Sequence, residues 1–343
     1  MSWGILKKIS LSLLSCALVG IPLSGVKAQG DMSGKVVQFI IGYGAGGGYD
    51  AYSRLFARHL GDHLPGHPSV IAQNMPGAGS IRAARHLYFK APKDGTAIGM
   101  IDQAMILRQK LGQSNINFDV GKFNWVGRLT NNTPIMITWH ESPIKNAKDL
   151  LEKQAILFGA LSARLDYTFL KQLLGAKIKV VPGYKSTSEA FLAMQRGEIH
   201  GMQMPWPVVL SKHGHLVKEK KIIPILQAGV EKAENLPNVP RMIDIAKSEH
   251  DRKLFEFISQ ASAIGRSVVA PPGLSSDVLA MLRKAFSETV QDPKFLSEAQ
   301  RAKLTLGLLS GEQLATLIER NSKYPTSIVE EATRIAKEAG LIR

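Results

Sequence analysis

The chain predicts an α/β fold of two lobes built on a mainly parallel sheet. Three observations carry this expectation. Short β-rich runs alternate with stretches of helical apolar spacing along most of the sequence. Glycine-rich loops follow the first two of those runs. The 343 residues are also more than twice the usual domain size of roughly 150 residues.

The first strand is expected at Val36-Val37-Gln38-Phe39-Ile40-Ile41, ending in glycines. Leu55, Phe56, Leu60 and Leu64 fall roughly on one face of a helix beginning at Asp50. A second strand, 69–72, runs into Asn74-Met75-Pro76-Gly77-Ala78-Gly79-Ser80. Ser80 is placed to cap a second helix carrying Ile81, Ala84, Leu87 and Tyr88. Residues 97–101 form a third strand. The middle repeats the pattern, with strands at 135–139, 155–158, 178–181 and 222–226 and helices at 165–174 and 187–196. The end is helical. Ser275 or Ser276 caps a helix bearing Val278, Leu282, Ala285 and Phe286, and Ser310-Gly311-Glu312-Gln313 is a capping-box pattern before Leu314, Leu317 and Ile318.

With 45% hydrophobic and 21% charged residues, the composition excludes a disordered chain, a collagen-like fibre and a coiled coil. The net charge of +15 favours an anionic partner: nucleic acid, anionic lipid, or a small carboxylate or phosphate. The basic residues are scattered, and neither an RNA-binding signature nor zinc-finger spacing occurs, so no nucleic-acid partner is expected.

The N-terminus reads as an export signal. Lys7 and Lys8 precede an apolar stretch, and Val26-Lys27-Ala28 offers small side chains where a signal peptidase reads. Residues 1–28 are therefore expected to be removed, which lowers the charge from +15 to +12 through loss of Lys7, Lys8 and Lys27. Leu13-Leu14-Ser15-Cys16 is an alternative: it resembles a lipobox and would make Cys16 a lipidated first residue. Cys16 is the only cysteine, so cleavage after Ala28 leaves no disulfide and no thiol chemistry. No later run is long and apolar enough to span a membrane.

The strongest local signal is Gly42-Tyr43-Gly44-Ala45-Gly46-Gly47-Gly48-Tyr49-Asp50, between a strand and a helix. Glycines there permit positive φ, and successive backbone N–H groups can converge on an anion at the helix N-terminus. The loop from Pro76 to Ser80 has the same position after the next strand. Two such loops lie side by side at the carboxyl ends of adjacent strands, where open α/β sheets bind ligands. Two bare glycine turns are the alternative. Gly42, Gly44 and Gly47 also match the dinucleotide fingerprint, but the next strand ends Ala72-Gln73-Asn74 without the acidic ribose ligand, and Asp50 repels a pyrophosphate. Neither a cofactor nor a metal is expected. His59 and His63 share a helix face, but Leu60 stands where a zinc protease has its glutamate; they read as solvated, as do His213 and His215.

These loops resemble the Bug-type solute receptors of tripartite tricarboxylate transporters. Ala45-Gly46-Gly47-Gly48-Tyr49-Asp50 is similar to that family's Pro-Gly-Gly-x-x-Asp, and Asn74-Met75-Pro76-Gly77-Ala78-Gly79-Ser80 to its Asn-Arg-Pro-Gly-Ala-Gly-Gly. The likeness continues through Ala91-Pro92-Lys93-Asp94-Gly95-Thr96, Val181-Pro182-Gly183-Tyr184-Lys185, Arg196-Gly197-Glu198-Ile199, Leu236-Pro237-Asn238-Val239-Pro240, Ala270-Pro271-Pro272-Gly273 and Gln291-Asp292-Pro293. Each motif is weak alone; their order and spacing make the resemblance specific.

The resemblance implies a two-lobed Venus-flytrap receptor of the periplasmic-binding-protein type II kind, with two crossovers. Lobe 1 would be 30–130 plus 263–343 and lobe 2 would be 131–262. It implies a monomeric, non-catalytic periplasmic receptor that captures a small organic carboxylate and docks to membrane permease subunits. Carried over residue by residue, one carboxylate would be held at Gly46, Gly47, Asp50, Asn74, Gly77, Ala78 and Gly79. The family's third loop, which holds the distal end of the ligand, corresponds to Gly159-Ala160-Leu161-Ser162-Ala163-Arg164-Leu165-Asp166. Ser162 and Arg164 replace two of its glycines, so Arg164 is a candidate carboxylate clamp in place of a backbone nest; a surface arginine at a helix start is the alternative. His200 replaces the family's late aspartate, Ala45 a proline and Met75 an arginine. Tyr43 and Tyr49 are placed either to pack on a ligand or to sit half-buried in the lobe, and Trp206 lies in the cleft or at the lobe joint. The same architecture also serves a ligand sensor that signals to a membrane kinase. A dinucleotide-dependent oxidoreductase is the enzymatic alternative.

Overall fold

The computed structural model describes residues 31–159, 161–184 and 186–342. The expected signal segment, 1–28, and Cys16 lie outside them.

The first part of the chain alternates as its sequence pattern demands: β1 (Val36–Ile41), α1 (Gly48–Leu60), β2 (Ser69–Asn74), α2 (Ile81–Phe89), β3 (Ala97–Met100), α3 (Met105–Lys110) and β4 (Asn124–Thr130). It then passes to β5 (Pro134–Trp139), α4 (Ala147–Glu152), β6 (Ala155–Phe158), α5 (Leu161–Leu174), β7 (Ile178–Val181), α6 (Thr187–Gln195), β8 (Gly201–Pro205), α7 (Trp206–Lys218), β9 (Ile222–Gln227) and α8 (Glu249–Ile264). It returns through β10 (Arg266–Ala270), α9 (Ser276–Gln291), α10 (Pro293–Arg301), β11 (Leu309–Ser310), α11 (Gly311–Ser322) and α12 (Thr326–Glu338).

The strands form two sheets, ordered β11-β4-β10-β3-β1-β2 and β7-β6-β8-β5-β9. Each is covered on both faces, and strand alternation assigns the side chains. Val37, Phe39 and Ile41 of β1 join the core under α1, α9 and α10, while Ile40 joins the core under α2 and α11. In the second sheet Ile135 and Ile137 pack with α6 and α7, and Met136 packs with α5, α8 and α12.

The sheets are mixed, not mainly parallel. β1 pairs in parallel with β2 and β3, and β6 with β7 and β8. β10 runs antiparallel to β3 and β4, and β5 runs antiparallel to β8 and β9. The antiparallel strands flank the two passages between sheets, at 130–134 and 264–266, where the chain enters or leaves a sheet. β4 and β10 escape the apolar-run criterion because Gly127 and Arg128 interrupt the first and Arg266 opens the second.

Arg128, only 4% exposed, ties the passages together. Its Nη1 donates to the Ala263 carbonyl at 2.5 Å and its Nε to the Gly307 carbonyl at 2.8 Å. Burial pulls its pKa down, with Glu231 opposing. Gly265, between α8 and β10, has φ +56 and ψ −138, and a Cβ there would stand 2.0 Å from the Thr130 carbonyl oxygen. The last helix departs from the expected partition: α12 packs on α5 and α8, and its Ile328, Ala332 and Ile335 enter the core of the second sheet.

Ser275 and Ser310 cap as expected, the latter in a full capping box. Ser80 does not cap α2. It lies at φ 73 with its hydroxyl turned to the backbone of Asp102. His59, His63 and His213 are not simply solvated either: His59 meets Glu298 at 2.7 Å, His63 meets Asp292 at 3.1 Å, and His213 stacks on Phe191 with centroids 3.8 Å apart, whereas His215 is exposed as expected.

Gly265→Ala is expected to lower the stability of the whole chain by about 2–3 kcal/mol, from left-handed strain together with collision at the Thr130 carbonyl. Urea unfolding checks this; an unchanged midpoint contradicts it.

Candidate functional site

β2, β1 and β3 lie side by side and parallel, so their three following loops emerge at one edge of the sheet. Backbone bonds fasten the loop starts to neighbouring strands: Gly42 N–H to the Met100 carbonyl at 3.0 Å and Met75 N–H to the Ile41 carbonyl at 2.7 Å.

Asp50, 6% exposed, joins the first two loops from beneath. Its carboxylate accepts from Gly46 N–H at 2.9 Å, from Asn74 Nδ2 at 2.8 Å and from Arg54 Nε at 2.8 Å. Asn74 also donates to the Tyr43 carbonyl at 2.9 Å and accepts from Arg54 Nη2 at 2.6 Å. Desolvation pushes the Asp50 pKa up, but the Gly46, Asn74 and Arg54 hydrogen bonds outweigh it and leave the carboxyl below its ordinary range. The structure thus brings Gly46, Asp50 and Asn74 into direct contact. The polar groups of Asp50 and Asn74 are engaged with the loops themselves.

Gly77, Ala78, Gly79 and Ser80 have φ of 145, 48, 61 and 73 in succession. Two of these are not glycine, so the backbone is held against a cost of about 1–2 kcal/mol per such residue. Ser80 is buried, its Oγ accepting the Asp102 N–H at 3.2 Å. Residues 44–47 and 76–79 are exposed. The N–H groups of Gly77, Ala78 and Gly79 have no partner among the described residues. A turn of this kind gathers successive N–H groups into an anion-binding concavity.

The third loop at this edge carries a feature that sequence reasoning did not find. Asp102 accepts from the Tyr43 hydroxyl, from the Tyr49 hydroxyl at 3.3 Å, from Ala104 N–H at 3.0 Å and from Arg108 Nη2 at 3.0 Å. Arg108 Nη2 also donates to the Gly79 carbonyl at 2.5 Å, joining Asp102 to the second glycine loop. Tyr43 and Tyr49 stack with centroids 4.4 Å apart. Burial, then the Asp102 charge, pushes both hydroxyls well above the ordinary tyrosine range, so both are neutral donors. The Arg266 guanidinium lies 3.7 Å from the Tyr49 ring centroid and donates to Gln103 Oε1 at 2.9 Å. Asn132, on the first passage between sheets, donates to the same Gln103 oxygen at 3.0 Å. Arg54, Arg108 and Arg266 face two aspartates here, so the edge carries surplus positive charge. Asp102 stands two residues past the third strand of the edge, and that position was its available signal; Arg108 and Arg266 had none.

On the second sheet the corresponding loop follows β6. Ser162 lies in the first turn of α5, and Arg164 is exposed with no hydrogen bond or ion pair to a described residue. No hydrogen bond among the described residues joins Arg164 to the glycine loops. His200 stands at the opposite end of β8, where its Nδ1 accepts the Ile156 N–H at 3.2 Å. It is a ladder partner, away from the loops. Trp206 is buried and donates to Asn235 Oδ1 at 2.7 Å. Asp166, also missed, is 7% exposed and accepts from Gln203 Nε2 at 2.7 Å. Burial pushes its pKa up to about 7, with the Gln203 bond opposing.

Two covered α/β sheets linked by short passages are the architecture of a periplasmic solute-binding protein. The tripartite tricarboxylate transporter family receptor, TctC, matches residues 54–333, and the chain belongs to this family. The match begins just after the first glycine loop. A TctC solute-binding protein from Polaromonas shares the fold at 16% identity and a TM-score of 0.65, over 88% of this chain and 98% of that one. Rpa4515 of R. palustris, solved with adipate, gives 18% and 0.62 over 89% and 97%. MatC of Rhodopseudomonas palustris, solved with malate, gives 18% and 0.60 over 87% and 98%. No curated protein sequence matches the chain.

Asp166 gives a pH signature. Its folded pKa exceeds the unfolded value of 3.8, so the folded state binds the extra proton. Its contribution to stability is full below 3.8, declines as pH rises to about 7 and is then constant. Asp166→Asn is expected to remove that decline and to gain up to about 4 kcal/mol over the native chain at pH 8 relative to pH 4. Urea unfolding at both pH values checks this; identical pH dependence in the two proteins contradicts it.

Proposed function

We propose that this chain is a periplasmic receptor that captures a small organic carboxylate between its two lobes and delivers it to the membrane permease subunits of a tripartite transporter. It acts as a monomer and without catalysis. Lobe 1 comprises 30–130 and 263–343, with its last helix, α12, packed on α5 and α8 of lobe 2, which comprises 131–262. Export follows cleavage behind Ala28. Among the described residues no helix is long and apolar enough to cross a membrane.

The observation that carries this reading is the exposed run Gly77–Ala78–Gly79, whose three N–H groups have no partner among the described residues, beside the first glycine loop. Backbone donors already fixed in position bind an oxyanion with little ordering cost. The surplus arginine charge at the same edge adds attraction. The adipate and malate of two structurally similar proteins support the ligand class. A micromolar ligand needs about −8 kcal/mol in all. A few charge-assisted hydrogen bonds of about 1.5–3 kcal/mol each are of the right size, net of ordering costs. Closure requires that the ligand also touch lobe 2, because it shifts the open–closed equilibrium only by its differential affinity. Ser162 and Arg164 are placed on that side.

Thermal unfolding of the mature protein with mono-, di- and tricarboxylates and aromatic acids tests the reading. One class is expected to raise the midpoint by about 5 °C or more at a hundredfold excess over Kd. Gly77→Val strains a backbone held at φ +145 and crowds the Arg82 side chain, and Asp50→Ala releases the loops, so either is expected to abolish the shift. A flat response to every acid, or an undiminished shift in both variants, contradicts it.

A further inference from the structure

The lobe 2 side of the site holds a buried acid that the carboxylate reading leaves unused. Asp166 lies in the second turn of α5, and Gln203 lies in β8. Phe158, the last residue of β6, pairs with Met202, so Gln203 sits one residue beyond the end of β6, level with the loop that follows it. Asp166 and Gln203 therefore meet at the edge of the second sheet from which that loop emerges. The neighbouring Tyr167 hydroxyl is turned to the Phe158 carbonyl at 3.1 Å. Oδ2 of Asp166 takes its one bond from a neutral amide, and Oδ1 has no partner among the described residues. Arg164, two residues earlier, is displaced by about 200° around the helix and makes no ion pair with it.

A carboxylate buried with a single neutral donor is costly, and such groups concentrate at functional sites. The group that repays the cost is a cation with N–H donors. We propose that Asp166, positioned by Gln203, receives an ammonium end of the ligand, so that the receptor takes an amino-carboxylate in preference to a dicarboxylate of the same length. The proposal rests on the reading that the glycine loops hold a carboxylate. Lobe 1 offers donors and positive charge; lobe 2 offers an acceptor and negative charge. A ligand spanning both is anionic at one end and cationic at the other. A second carboxylate at the distal end meets Asp166 as a like charge or forces it to keep its proton. Burial displaces the Asp166 pKa upward, to about 7, with the Gln203 hydrogen bond opposing.

Calorimetric titration with length-matched pairs tests this: 4-aminobutyrate against succinate, and 5-aminopentanoate against glutarate. The native protein is expected to bind the amino acid of at least one pair tenfold or more tightly than its dicarboxylate. Asp166→Asn, close to isosteric, is expected to lose that preference by weakening the amino acid and not the diacid. Preference for the diacids in the native protein overturns the proposal and leaves the carboxylate reading standing. An unchanged preference in Asp166→Asn overturns it also. If no carboxylate of any class binds, both readings fall. The native pairs decide the matter even if the variant does not fold.

Discussion

The geometry of the candidate site depends on one buried carboxylate. Asp50 stands in the first turn of α1, yet its bonds run to Gly46 in its own loop and to Asn74 at the end of the neighbouring strand. Arg54 closes the group from one turn further along α1. Charge-assisted bonds of this kind contribute about 1.5–3 kcal/mol each. Here they hold two exposed, glycine-rich segments in a fixed mutual position. Without them the loops gain the backbone freedom that glycine confers, and an anion has to order them on binding.

The second loop shows where that rigidity goes. Ala78 and Ser80 sit in left-handed conformations that side chains disfavour. Ser80 is kept there by its bond to the Asp102 backbone and by the absence of a side chain at Gly42, where a Cβ would stand 1.8 Å from the Ser80 hydroxyl. Arg108 then pins the Gly79 carbonyl. With its carbonyl side and its anchor residue engaged, the loop leaves the N–H groups of Gly77, Ala78 and Gly79 without an acceptor among the described residues. Gln103 carries the same framework towards the passages between lobes through Arg266 and Asn132. The glycine loops and the passages between the sheets therefore share one hydrogen-bonded structure.

Much of this was legible in the sequence, and the remainder has identifiable reasons. Both glycine loops, the strands before them and the helices after them follow from local periodicity and turn chemistry. So does the Ser310 capping box. Asp50 and Asn74 stood out by their motif positions, but sequence cannot tell a side chain that touches a ligand from one that shapes the loop around it. β4 was hidden because Gly127 admits the Phe286 ring, which a Cβ would meet at 2.3 Å, and because Arg128 is buried on main-chain carbonyls. Both are tertiary facts without a periodic trace. Asp102, Arg108, Arg266 and Asp166 gain their meaning from partners distant in the chain. The docking of α12 on the second sheet depends likewise on the fold as a whole.

The central claim is that backbone N–H groups of the second glycine loop receive a carboxylate. Amide chemical shifts of isotope-labelled mature protein, followed while a binding carboxylate is added, test it most directly. The account expects the largest downfield movements at Gly77, Ala78 and Gly79, with smaller ones at Gly46 and Gly47. Saturable binding that leaves the amides of Gly77 to Gly79 in place would contradict it.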